Sequence, residues 1–323
     1  MIVIVIMKKL IKIIQLIFGF CKSLIVYKYY SMKFKKIDFF QYKTLANPNF
    51  CCIRGFASST HYGNHLAVSH LIHKRINFIR EYIEHGVSFY SNPECVRLLG
   101  YIDRKGIKTV YTFSEQRVDT INEYLKTHNL HRKIVPVGPY ILGANHHKST
   151  EELVSIKKQA GRILLVFPTH SCETNEVNYS VEFLINKIEE RRNEFNTVFV
   201  CLYWMEVLKY PQVASLYEAQ GYTVVSAGHR SDPLFLSRLK DIISLSDMVF
   251  TNGIGTHIGY SICLSKPVCF INEDLNKSDI FHEDEGIKSV REKLIKLFSD
   301  FSQTITHEQI AFTEYYYGKW ERI

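Results

Sequence analysis

The chain has 323 residues, long for one domain and comfortable for two, and its 46% hydrophobic and 22% charged content is that of an ordinary globular protein. Its formal net charge of +8 comes entirely from the first 43 residues, where Lys8, Lys9, Lys12, Lys22, Lys28, Lys33, Lys35, Lys36 and Lys43 face Asp38 alone; the other 280 residues carry 31 basic and 31 acidic side chains. A nucleic-acid footprint covers a folded face, so a basic tail on a neutral body excludes nucleic acid as the partner.

Eight cysteines, at positions 21, 51, 52, 95, 172, 201, 263 and 269, show neither metal spacing nor a disulfide framework. Cys51, Cys52, Cys201, Cys263 and Cys269 lie in or beside apolar runs, where a reduced cysteine acts as a small hydrophobe; a reducing cytoplasm is the expected compartment. In residues 1–30 no small-residue cleavage site follows the apolar run, as a secretory signal would require. Nor do the lysines leave an uncharged run near the roughly 20 residues of a spanning helix. Lys8, Lys12, Gln15, Gly19 and Lys22 recur at spacings of 4, 3, 4 and 3, one polar stripe on an apolar helix. That pattern suits an amphipathic helix lying in a membrane interface, lysines toward anionic head groups. A buried N-terminal helix, or a start at Met7 or Met32, accounts for the same residues.

The folded part is expected to open with a strand over Asn49–Phe56, a loop over 57–64 and a helix over His65–Ile83. In an open α/β sheet that loop lies at the ligand-binding end of the strand, which makes Gly55, Ser58 and His61 acceptor-side candidates. His61, His65, His70 and His73 invite a metal reading, but no carboxylate or cysteine is grouped with them; they read as structural or acceptor-side histidines, and no metal site is expected. In the run Tyr82–Phe89, Glu84-His85-Gly86 could set His85 at a strand tip facing a cleft, titrating near neutrality and able to take a proton from a hydroxyl. The other account is a histidine satisfied at a helix end before glycine; Glu84 is the second candidate base.

Lys108–Ser114 is the next expected strand, then a helix over 115–125 and a strand over 133–140. The apolar run Ile163–Phe167 comes next, and its carboxyl-end loop holds His170 and Ser171 facing the cleft, or capping it. A helix over about 180–194, a strand over 197–203 and a helix over 208–220 follow. Val224-Val225 closes a short apolar run before the polar loop Ala227–Pro233, which includes His229 and Arg230. Leu234–Leu245 has helical apolar spacing, and Met248-Val249-Phe250 is a buried strand. It runs into Thr251-Asn252-Gly253-Ile254-Gly255-Thr256, then a helix from His257 to Leu264, Ser265-Lys266-Pro267 and another apolar run. A turn of small residues entering a helix aims backbone N–H groups and the positive helix end at one spot, an anion site. Glycines allow close approach, and Thr251, Asn252 and Thr256 add side-chain donors. By itself a Gly-x-Gly turn is as easily a tight connection.

Gly228-His229-Arg230, Asp232-Pro233-Leu234-Phe235-Leu236, Ser246-Asp247, Thr251-Asn252, Gly255-Thr256-His257-Ile258-Gly259 and Lys266-Pro267 stand in an order that resembles the donor half of GT-B glycosyltransferases. The likeness is to bacterial surface-polysaccharide (capsular and O-antigen) transferases, and more distantly to CDP-glycerol glycerophosphotransferases. It is dense in the second half and thin from about Phe50 to there; Ser265 departs from the glycine usual before Lys-Pro. The resemblance implies an α/β fold of two facing Rossmann-like domains with parallel sheets, with an N-terminal amphipathic segment over 1–44. The acceptor domain would span 45–145 and the donor domain 146–305, with a last helix over 306–323 packing back on the first. Val137-Gly138-Pro139-Tyr140 resembles the close of the first domain, which implies a connector over 143–161, and His85-Gly86 resembles the His-Gly carried there.

By the same resemblance the donor diphosphate would sit on Thr251, Asn252, Gly253, Gly255 and Thr256, with His257, His170 and Ser171 beside it. His229 and Arg230 would lie near phosphate or base, the helix dipole and Arg230 would stabilise the leaving-group charge, and His85 would deprotonate the acceptor. No Asp-x-Asp motif is present, in keeping with metal independence, and no cofactor is implied beyond the nucleotide-sugar substrate. The expected partners are that nucleotide-sugar, a glycan or lipid-linked acceptor and an anionic membrane surface; the expected place is the cytoplasmic face of the cell membrane. Alternatives are a CDP-polyol phosphotransferase, a sugar-nucleotide 2-epimerase-like protein and a non-catalytic nucleotide-sugar binding protein.

Overall fold

A computed structural model describes residues 2–99, 102–170, 179–273 and 284–321. Helix α1 (Ile2–Phe34), the single turns α2 (Tyr42–Leu45) and α3 (Ala57–Thr60), and α4 (Asn64–Leu71) precede a first sheet. That sheet comprises β1 (Glu81–Ile83), β2 (Thr109–Thr112) and β3 (Lys133–Pro136), with α5 (Glu115–Thr127) between the last two. After α6 (Thr150–Ala160) come β4 (Ile163–Phe167), α7 (Val181–Glu189), β5 (Thr197–Cys201), α8 (Trp204–Lys209), α9 (Pro211–Ala219) and β6 (Thr223–Val225). The chain goes on through α10 (Phe235–Leu245), β7 (Met248–Thr251), α11 (Thr256–Cys263), β8 (Val268–Phe270), α12 (Glu285–Phe298) and α13 (His307–Tyr317).

Both sheets are parallel throughout, in the orders β1-β2-β3 and β6-β5-β4-β7-β8. Strands covered on both faces must be apolar on both, and β4 is buried along its whole length. Its residues alternate: Leu164 and Val166 enter one core with Val198, Val200 and Phe250, while Ile163, Leu165 and Phe167 enter another. The second core is continuous with Ile83, Tyr111, Phe113 and Tyr140 of the first lobe, so one apolar mass joins the two sheets.

Four expectations need correction. Residues 50–56 form no strand: Phe50 packs on Phe34 and Tyr30 of α1, at 5.0 and 5.1 Å between ring centres, which leaves its backbone outside any ladder. The helix expected over His65–Ile83 stops at Leu71, His73 turns left-handed (φ 51°), and Glu81–Ile83 becomes the first strand. Pro211 divides the helix expected over 208–220, because proline lacks the N–H that would continue α8. The expected connector over 143–161 contains α6, started by a Ser149/Glu152 capping box. Ser265, the departure noted above, has φ 58°, a conformation in which glycine carries no steric penalty.

Helix α1 has two parts. Leu10, Ile11, Ile14, Leu16, Ile17 and Phe18 are exposed, Phe18 at 70%. From Gly19 onward the helix docks: Phe20 meets Phe56, Ser23 Oγ accepts the Arg54 N–H at 2.9 Å, and Phe34 is buried. No described helix is long and apolar enough to cross a membrane. Arg238 of α10 anchors the docked end. It is fully buried and donates to Asp232 Oδ2 at 2.6 Å and to the Phe34 and Ile37 carbonyls at 2.7 and 3.2 Å. Arg238→Ala would strand the Asp232 carboxylate and two carbonyls together. Removing one partner of a buried pair costs about 3–5 kcal/mol, so urea denaturation should show a loss of that order; a loss under about 1 kcal/mol would refute the anchoring role.

Candidate functional site

Strand order reverses at β4: the chain moves outward through β5 and β6, then returns to place β7 and β8 on the other side. The loops leaving β4 and β7 therefore part, and a crevice opens over the carboxyl ends of those strands. A cavity of about 320 Å3 occupies it, within the range of about 300–1,000 Å3 usual for small-molecule sites. Thr169 and His170 line it from the β4 loop, Gly253 to His257 from the turn after β7, and Tyr62, Asn64, His85, Gly86 and Val87 from the first lobe. The expected turn is thus open to the groove between the lobes.

Close packing forms the turn. A Cβ on Gly253 would come within 3.1 Å of Thr169, and one on Gly255 within 3.0 Å of the His257 ring. Gly255 caps α11, and by helix geometry the N–H groups of Thr256 and His257 have no intrahelical acceptor. Thr256 also meets the opposite lobe, its Oγ1 accepting the Val87 N–H at 3.4 Å. Two side chains expected to be ligand donors face inward instead. Thr251 Oγ1 accepts the Gly253 N–H at 3.1 Å and lies 2.8 Å from His257 Nε2. Asn252 is 1% exposed; its Oδ1 accepts the Thr169 N–H and its Nδ2 donates to Glu273, each at 2.7 Å.

His85 follows β1 and borders the cavity, its carbonyl held by Asn64 Nδ2 at 2.9 Å and its ring 6.0 Å from that of His61. Glu84 is buried beneath it: Oε1 accepts from Arg117 Nε and Nη2 at 2.8 and 2.5 Å, and Oε2 from Thr112 Oγ1 at 2.5 Å. Those bonds engage both oxygens, and Glu84 does not border the cavity. His170 is exposed and stacks on Tyr203 at 4.1 Å between ring centres. Ser171 lies outside the described residues.

His229 sits 4.1 Å from Trp204 and parallel to Phe50 at 5.8 Å, ring centre to ring centre, and its Nδ1 accepts the Ser231 N–H. The Arg230 carbonyl accepts the Tyr62 N–H at 2.6 Å, and its guanidinium carbon lies 5.9 Å from the Trp204 ring. Neither His229 nor Arg230 lines the cavity; nor do Gly55, whose carbonyl accepts from Arg104, Ser58, buried in α3, or His61, set behind His85. Missed in the sequence are Tyr62 and Tyr203, which line the cavity with hydroxyls 3.3 Å apart. Tyr203 lies just beyond β5, at the carboxyl end where lining residues belong, and that position was a usable signal. Among the described residues no group of three His, Cys, Asp or Glu could hold a metal ion.

Four histidines, His61, His65, His229 and His257, are held neutral. Burial is the main cause, pushing His61 and His257 down to about 3 and His65 and His229 to about 4. Repulsion by neighbouring charges adds to it, from His85, Arg230 and His229 at His61 and from Arg230 at His229. Because these values lie below the unfolded value of about 6.5, the unfolded chain takes up protons first as pH falls. Stability present at pH 7 and above should therefore fall steadily between about pH 6.5 and 5. A melting temperature unchanged over that window would mean that the folded imidazoles bind protons as readily as unfolded ones.

No family model matches the chain, and no curated protein does. Among solved structures it is similar to S. aureus MnaA in a co-structure with UDP (TM-score 0.40, 12% identity, 74% of this chain and 65% of that one). It is also similar to a variant of the wall teichoic acid polymerase TagF (0.42, 11% identity, 74% and 63%). A third is alpha,alpha-trehalose 6-phosphate synthase from Burkholderia multivorans (0.33, 7% identity, 73% and 57%). The chain spans less than two thirds of the length of each.

Proposed function

We propose that the chain is a GT-B-type, metal-independent glycosyltransferase of surface-polysaccharide assembly, moving a sugar from a nucleotide-activated donor to a glycan or lipid-linked acceptor. One observation carries this reading: the crevice at the strand-order reversal is lined both by Gly253–Thr256 with the start of α11 and by His85 of the first lobe. The donor diphosphate rests on that turn, where N–H groups and the helix dipole meet its charge. Among the described residues, none that lines the cavity is a lysine or arginine, and those dipoles, with Thr256 and the imidazoles, supply the stabilisation. The acceptor hydroxyl oxygen attacks the anomeric carbon, the bond from that carbon to the diphosphate oxygen breaks, and His85 takes the hydroxyl proton.

The same proposal puts the protein at the inner face of the cell membrane. In support, the exposed apolar residues Leu10 to Phe18 lie in the segment that holds all the excess positive charge. Isothermal titration with UDP, CDP and GDP, with CMP as control, should give one diphosphate of micromolar affinity, and no binding by any of them would remove the transferase assignment. Gly255→Val should abolish that binding, whereas His85→Ala should keep it and lose turnover by about 10²–10⁴-fold. A chain lacking residues 1–18 should leave anionic vesicles yet keep its nucleotide affinity, since docking on the body begins at Gly19; continued vesicle binding would refute the membrane role.

A further inference from the structure

We infer that Tyr317, on the last helix, is the positioning residue that aims the phosphate-binding turn, an inference that rests on the nucleotide reading of the cleft. Tyr317 is fully buried, and its hydroxyl donates to the Gly255 carbonyl at 2.8 Å. Its ring lies flat enough on α11 that a Cβ on Gly259 would fall 2.2 Å from Cδ1, so glycine is what lets the ring reach this depth. The Ile258 N–H shares the same carbonyl at 3.3 Å.

Peptide planarity gives this bond its consequence. In a trans peptide the carbonyl and the next N–H point in opposite directions. With the Gly255 carbonyl drawn inward to Tyr317, the N–H of Thr256 is turned outward, toward the cavity that Gly255 and Thr256 line. Gly255 has no side chain to oppose rotation of that peptide, so the hydroxyl restricts what the residue itself leaves free. Tyr317 is also the point where the lobes join. Its ring lies 5.9 Å from Phe89 of the first lobe, and at the next residue, Gly318 (φ +90°), a Cβ would fall 2.3 Å from the Phe113 carbonyl oxygen. The turn is thereby referenced to the lobe that carries His85.

Tyr317→Phe keeps the ring and removes only the hydroxyl. Calorimetry should compare wild type, Tyr317→Phe and Tyr316→Phe. Tyr316 is the control, because its hydroxyl accepts from Lys293 and does not touch the turn. Each is titrated with the nucleoside diphosphate that binds wild type best and with the matching nucleoside. Tyr317→Phe should bind the diphosphate about fivefold to tenfold more weakly, with nucleoside affinity and melting temperature little changed, while Tyr316→Phe matches wild type. Equal weakening of diphosphate and nucleoside, or no weakening of either, overturns the positioning role while leaving the nucleotide site intact. Failure of wild type to bind any diphosphate removes the underlying reading, and with it this role.

Discussion

One buried amide holds the lip of the cleft. Asn252 accepts from the Thr169 backbone after β4 and donates to Glu273 after β8, and Glu273 in turn accepts the Ser180 N–H at the start of α7 at 2.7 Å. The ladder joins β4 and β7 as far as their last residues, Phe167 opposite Thr251, but the loops that leave them part across the crevice. A side chain ties those loops, and an amide offers an acceptor and two donors in one plane. Aspartate there would set a second carboxylate against Glu273. The consequence for function is geometric: the turn that follows is fixed in place by a buried side chain whose hydrogen bonds go to the protein.

The lobes touch on two sides of this lip. Gly63, left-handed at φ +76°, lies so close to the Pro233 carbonyl that a Cβ would fall 2.1 Å from its oxygen, and the neighbouring Tyr62 N–H donates to the Arg230 carbonyl. Opposite, the end of α13 enters between Phe113 and Gly138. Backbone against backbone is a stiffer contact than side chain against side chain. The width of the crevice between His85 and the α11 turn is therefore set by main-chain geometry. Tyr62 has itself a left-handed φ of 58°, unusual for a residue with a side chain, and it lines the cavity. Strain of about 1–3 kcal/mol at such a residue persists where surroundings over-determine it, and the Arg230 bond, the Phe235 ring at 4.7 Å and Gly63 do so here.

The second lobe was legible because parallel strands buried on both faces spell themselves out as apolar runs, ILLVF in β4 and TVFVC in β5, separated by helices of clear period. In the first lobe the signal fails for a physical reason. Its strands are three or four residues long, and β1 begins with Glu81, a buried carboxylate paired with Lys74 at 2.5 Å. The more strand-like run at 50–56 spends its apolar residues on α1. At the cavity, the Gly/Thr turn and His85 that the sequence singles out line its wall, whereas Asn252, Glu84 and His229 bond to the protein, since a polar residue type announces a polar partner without saying whether that partner is ligand or protein. Tyr62 and Tyr317 left no trace, because an aromatic in a sequence reads as core.

Charge is kept in two places that do different work. The body is balanced, the excess lysines are confined to the first 43 residues, and the described residues lining the cavity include histidines but no lysine or arginine. A pocket walled with fixed cations attracts any polyanion, whereas N–H groups held at set positions favour an anion of one size and shape. On the proposed reading, long-range attraction to an anionic surface belongs to α1, and short-range discrimination belongs to oriented dipoles.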